Sequence, residues 1–156
     1  MLTDGDRLWT LLRALDDPAH LEHPADFRQR RERMRFDGLA RRLREHFGDR
    51  VLADRAVEDA SFLGRIEISA EAATTGAQLV LTISNFGGLA VLSVENPGVW
   101  SDAEAAELLA AEDERRIDSA LAEFDYLRIP EEPLWEPYDR DIRGIDTWWV
   151  RFFSHL

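Results

Sequence analysis

Apolar residues recur along this chain with two different spacings, and the change from one to the other divides it into segments. From Asp4 to Asp17 the spacing is helical: Leu8, Leu11, Leu12 and Leu15 share one stripe with Trp9 beside it, and Asp4 and Asp6 suit the positive N-terminal end. Pro18 stops the helix, and residues 18–25 form a linker carrying a second proline, Pro24. A second helix is predicted from Asp26 to Phe47, ended by Gly48, with Phe36, Leu39, Ala40, Leu43 and Phe47 as its apolar stripe. Phe27 and Met34 fall about half a turn from that stripe, so either the helix kinks near Asp37-Gly38, the favoured reading, or its first half packs on a different neighbour.

The spacing then shortens to two. SFLGRIEIS alternates Phe62, Ile66 and Ile68 with Arg65, Glu67 and Ser69, the pattern of a half-buried strand. AQLVLTISN and GLAVLSVEN are more continuously apolar and flank Phe86-Gly87-Gly88, where glycines free to adopt positive φ can close a hairpin. VLADRAV before them is a candidate edge strand. Sequential strands joined in this way predict an antiparallel meander. Asn96-Pro97-Gly98 breaks the sheet, and Ser101 with Glu104 forms an S-x-x-E capping box. The helix it opens is predicted to run unbroken over about 101–124 on Ala106, Leu109, Ala110, Ile117, Ala120, Leu121 and Phe124. YLRIP reads as a short strand, and EEPLWEPYDRDIRGID as an acidic, aromatic loop.

The stretch DTWWVRFFSHL holds four of the chain's fifteen aromatic residues. Its Trp, Val and Phe content favours a strand, with Trp148, Val150, Phe152 and Leu156 on a core side and Trp149, Arg151, Phe153 and His155 opposite. A helix also fits, because Trp149, Phe152, Phe153 and Leu156 follow i, i+3, i+4, i+7. A covered Trp149 is expected in the strand arrangement. The sum is one α+β domain: an antiparallel sheet of about four to five strands, two N-terminal helices and one long helix.

Composition supports a globular chain, with 45% hydrophobic and 32% charged residues in 156. No apolar run approaches the roughly 18 residues of a membrane span. The acidic first residues lack the features of a signal peptide, and cysteine is absent, so a cytoplasmic setting is the expectation. Charge sharpens the picture. All 19 basic residues are arginine, and the formal net charge is −12, which disfavours nucleic acid as a partner. The balance is uneven: nine Arg against four acids over Arg28–Arg50, and fifteen acids against five Arg over Ser101–Asp146.

Motifs of known chemistry are missing. Without lysine there is no phosphate-binding GxxxxGK[ST], and neither GxSxG nor GxGxxG occurs. His20 and His23 of HLEH lie between prolines, where no helix aligns two imidazoles for a metal, and a solvated linker is the favoured reading. Asp139, Asp141 and Asp146 lack the order of a calcium loop. Arg28, Arg31, Arg35 and Arg42 spread round their helix and are interrupted by acids, so internal pairing is favoured over phosphate binding. No cofactor is expected.

Carboxylates around aromatic anchors do describe a surface for a basic protein. Glu131, Glu132, Trp135, Glu136, Tyr138, Asp139, Asp141, Asp146 and Phe153 are the candidate contact residues. At EDASFLGRIEIS, ISNFGGLAVLS and DTWWVRFFSHL, over about the C-terminal two-thirds, the chain resembles a group of bacterial proteins encoded near polymorphic toxins and regarded as immunity proteins. That resemblance implies a non-enzymatic role neutralising a cognate toxin protein, and carries over no functional residue. Two other readings stand beside it: a small hydrolase or ligand-binding domain with a pocket between sheet and helices, and a self-associating module pairing its aromatic tail across a homodimer rather than acting as a monomer.

Overall fold

The computed structural model describes residues 1–55 and 64–154. Phe62 and the start of the EDASFLGRIEIS motif lie outside the described residues, as do His155 and Leu156. The fold is α+β. Helix α1 (Gly5–Leu15) begins at Asp4, whose carboxylate accepts the Arg7 N–H, and it buries Leu8 and Leu12. Helix α2 (Gln29–Phe47) starts later than the Asp26 cap predicted, because Pro24–Phe27 form a turn closed by the Phe27 N–H on the Pro24 carbonyl. It passes Gly38 without a break, and Met34 faces solvent. There is therefore no second apolar face to demand a kink. Gly48, at φ 84°, ends the helix as expected.

Strands β1 (Val51–Arg55), β2 (Gly64–Ile68), β3 (Leu79–Ile83) and β4 (Leu89–Val94) form the antiparallel meander, in that order, with β1 at the edge. Gly87 and Gly88 both take positive φ, 60° and 64°, and the Leu89 N–H bonds back to the Phe86 carbonyl, the two-residue turn that suits strand twist. A fifth strand, β5 (Leu127–Arg128), joins beside β4 but parallel to it, making the sheet mixed. Parallel pairing needs a long crossover. Here α3 (Asp102–Leu108) and α4 (Ala111–Glu123) provide it.

Those two helices replace the single predicted one. The capping box at Ser101 forms in full, but Leu109 and Ala110 turn extended and split the segment. Neither glycine nor proline is responsible. The cause lies in the β2–β3 loop: Thr75 Oγ1 donates to the Leu108 carbonyl at 2.7 Å, and buried Asp113 accepts the Thr74 N–H and hydroxyl, each at 2.7 Å. These bonds hold the break open and reset the helical phase, which leaves Ala106 exposed.

Every residue of β3 and β4 is buried, because both faces of the sheet are covered. On one side α2 and α4 bring Phe36, Leu39, Leu43, Ile117 and Leu121 against Ile66, Ile68, Leu79, Leu81 and Leu92. On the other, α1 and the last helix, α5 (Trp148–Phe153), enclose Leu8, Leu12, Phe86, Val91, Trp148 and Phe152. The tail is thus a helix and not a strand. Thr147 caps it by accepting the Val150 N–H at 3.2 Å, and Trp148, Trp149, Arg151, Phe152 and Phe153 are all buried. An isolated antiparallel bridge between Pro137 and Thr147 is the strand-like pairing recorded at this segment. No described helix is long and apolar enough to cross a membrane.

Candidate functional site

The acidic loop is held from two anchor points, and each consumes part of the candidate set. The first is Asp16, just past the end of α1. Its buried carboxylate accepts Arg151 Nε at 2.7 Å and the Tyr138 hydroxyl at 2.8 Å, and pairs with Arg140 Nε at 3.0 Å. Arg151, fully enclosed, also donates to the carbonyls of Asp17, His20 and Leu21, and its guanidinium lies 4.5 Å from the centre of the Phe86 ring. A buried cation with this many acceptors and an aromatic face is satisfied rather than reactive. Burial, reinforced by the Asp16 carboxylate, pushes the Tyr138 hydroxyl up to about 12.

The second anchor is Glu131. Its buried carboxylate accepts the Ser93 hydroxyl, the Gly98 N–H at 2.8 Å and the Trp135 indole Nε1–H at 2.9 Å. Asp102 completes the joint between the two loops. It accepts the N–H groups of Glu131 and Glu132 at 3.2 Å, while the Glu132 carboxylate accepts the Asp102 N–H at 3.2 Å. Burial raises the Asp102 carboxyl above its usual range, against the lowering effect of those two amides.

Trp135 closes a short 3-10 helix (Glu132–Trp135) and begins a column of rings running inward. It stacks on Trp149 at 5.0 Å between centroids, 19° from parallel, and Trp149 stacks on Phe153 at 5.0 Å and 20°. Exposure falls along the column from 39% to 8% to 5%. Gly98 packs against the Trp135 ring edge, and Val99 and Trp100, next in the chain, are 50% and 38% exposed. Trp135 is thus exposed among Asp102, Glu132 and Glu136, while Val99 and Trp100 are exposed in the segment that leads to Asp102. An open cleft of about 540 Å³ lies among Asp102, Glu132, Pro133, Trp135 and Glu136.

Of the sequence-predicted contact residues, Glu132, Trp135 and Glu136 come together here. Asp139, Asp141 and Asp146 are exposed on the loop that follows, and Asp139 is engaged by Arg13 of α1. Three candidates leave the surface. Glu131 is spent on internal donors, Tyr138 on Asp16, and Phe153 lies at the bottom of the ring column. Val99, Trp100 and Asp102 were not anticipated. The signal for them was GVW directly after the Asn96-Pro97 break, two apolar residues where a loop is ordinarily polar.

Elsewhere the structure offers less. His20 pairs with Asp17, which lowers the Asp17 carboxyl, and His23 stacks on Phe27. Among the described residues no three His, Cys, Asp or Glu side chains are placed to hold a metal ion. The buried hydroxyls of Ser84 and Ser93 serve the Phe152 carbonyl and Glu131. Between the sheet and α3, a space lined by Leu92, Val94, Ala105, Leu109 and Glu131 amounts to about 70 Å³, well below the roughly 300–1,000 Å³ of a small-molecule site. Internal pairing of the α2 arginines is partial. Arg35 and Arg42 bond across to the α4 end, whereas the side chains of Arg28 and Arg31 make no ion pair or hydrogen bond among the described residues. The aromatic tail, enclosed as a helix, is no longer available for strand pairing across a dimer.

No family model, curated protein or solved structure matches this chain.

Proposed function

We propose that this chain is a non-enzymatic binding protein whose acidic and aromatic face holds a basic protein partner, in the manner of an immunity protein neutralising a toxin domain. One observation carries the reading. Trp135 stays exposed among Asp102, Glu132 and Glu136, and Val99 and Trp100 stay exposed in the segment that leads to Asp102, in a molecule that buries Trp148, Trp149, Phe152 and Phe153. Exposed tryptophan ringed by charge is the composition of an interface hot spot with a polar rim. The net charge of −12 speeds encounter with a cationic protein and discourages phosphate-bearing ligands. The C-terminal resemblance to immunity proteins points the same way.

Co-purification tests it, combined with the identity of the flanking genes. The expected result is a basic protein encoded beside this gene that binds with an on-rate falling steeply as salt rises. A neighbour without a basic domain, together with no captured protein, rejects the reading. Reversing Asp139 and Asp141 to Arg tests the extent of the surface: slower association places that loop inside the field that guides the partner.

A further inference from the structure

We infer that the outer face of Trp135 is a receptor for one arginine side chain of the partner, its guanidinium lying flat on the indole with Glu132, Glu136 and Asp102 round its edge. This rests on the reading of the chain as a binder of a basic protein, and assigns the chemistry of its anchor.

An exposed tryptophan on a loop ordinarily samples several rotamers, and ordering it on binding weakens the complex. Trp135 is already fixed at three places: its inner face by Trp149, its Nε1–H by the buried Glu131 carboxylate, and its edge by Gly98, where an added methyl would touch Cζ2 at 3.4 Å. What is left to solvent is the opposite face, which forms a wall of the cleft. The column of rings beneath gives that face no polar partner of its own.

The rim supplies the second half of the site. Glu132 and Asp102 each spend carboxylate oxygens on backbone N–H groups, which orients them without neutralising them, and Glu136 has no side-chain hydrogen bond among the described residues. An aromatic floor with carboxylates at its edge attracts a cation through the ring quadrupole and through charge together. A guanidinium suits it better than an ammonium, being planar, weakly hydrated and able to stack while its N–H groups point outward in the plane. Among the described residues the same pairing recurs at Arg13, Arg35, Arg116 and Arg151, each over a ring and bound to a carboxylate. Arg151 lies over Phe86 while bonded to Asp16, and Arg35 lies 4.0 Å from the Tyr126 ring centre while paired with Glu32. Among the described residues, none of the chain's own arginines lies over Trp135.

The probe is Nα-acetyl-arginine amide, titrated while the Trp135 indole N–H resonance is followed by NMR, with the citrulline amide as the uncharged isostere and the lysine amide as the non-planar cation. A saturable shift of Trp135 is expected with arginine, a binding at least about fivefold weaker with lysine, and none with citrulline. The double variant Glu132→Gln/Glu136→Gln, with an unchanged thermal midpoint, is expected to weaken arginine binding by about tenfold. An unmoved Trp135 resonance, or equal response to citrulline, overturns the assignment. The two levels separate cleanly: a captured basic partner with no arginine response sinks the anchor and leaves the binding role standing, whereas a response to arginine with no captured partner sinks the role and leaves the site.

Discussion

Arg151 and Asp16 meet at 2.7 Å with both side chains shut off from solvent, joining the last helix to the turn that follows the first. Removing Arg151 takes from Asp16 its enclosed cation and leaves it only the Tyr138 hydroxyl and the half-exposed Arg140. Arg151→Met, close in length but uncharged, should lower stability by about 3–5 kcal/mol, and by clearly more than Arg13→Met, whose pair with Asp139 is exposed and worth under about 1 kcal/mol. Urea unfolding of the two variants beside the parent protein checks this. Equal losses would mean that the Asp16 cluster contributes no more than a surface contact.

The chain has two tyrosines, and the fold resists ionising both. Burial raises Tyr126 furthest, and burial with Asp16 raises Tyr138 to about 12. At pH 10 the native protein should therefore show little phenolate absorbance, while the urea-unfolded chain is about half ionised. Because the folded values lie above the unfolded ones, the folded state holds protons that the unfolded state has released. Stability is then at its full value below about pH 10 and falls as pH rises toward 12. Tyr138→Phe should flatten part of that decline, and Tyr126 should account for the remainder.

Asp113 sits in the first turn of α4, where its charge favours the helix, and it takes both Thr74 donors. Asp113→Ala should cost about 1–3 kcal/mol, chiefly through the donors it leaves unpaired. The Thr74 amide should exchange with solvent faster in the variant by hydrogen exchange. Unchanged exchange at Thr74 would show that this pairing does not hold the helix break.

Gly38 lies inside α2, where alanine ordinarily gains about 1 kcal/mol. A Cβ there runs into the Phe124 ring, and overpacking of that kind costs about 1–3 kcal/mol. Gly38→Ala should therefore be neutral to destabilising. Pairing it with Phe124→Leu should restore the gain, a non-additivity that thermal melts of the single and double variants will show.

How much of this was visible in the residues follows from the range over which each feature is decided. The Ser101 capping box, the Gly87-Gly88 turn and the α2 stripe are set within a few positions, and all were legible. The split between α3 and α4 was not, since it is imposed by Thr74 and Thr75 from more than thirty residues earlier. The tail shows the limit of propensity: strand-forming rings become a helix because Thr147 caps it and the interior accepts side chains on several sides. At the candidate site, the acidic and aromatic character of 131–146 could be read. Which of its rings would face solvent could not, because Tyr138 is drawn inward by Asp16, 122 residues away, and Trp135 is held at the surface by Glu131.

The bonds from Arg151 to the carbonyls of Asp17, His20 and Leu21 also set an order of events in the cell. Residues 16–21 leave the ribosome well before their anchor, which is made 135 positions after Asp16. At roughly 5–20 residues per second, α1 and its following turn wait about 7 to 27 seconds before that clasp exists. During synthesis the first helix is a tethered, unfinished piece of the fold, and a nascent chain cut before residue 151 should expose it to proteases.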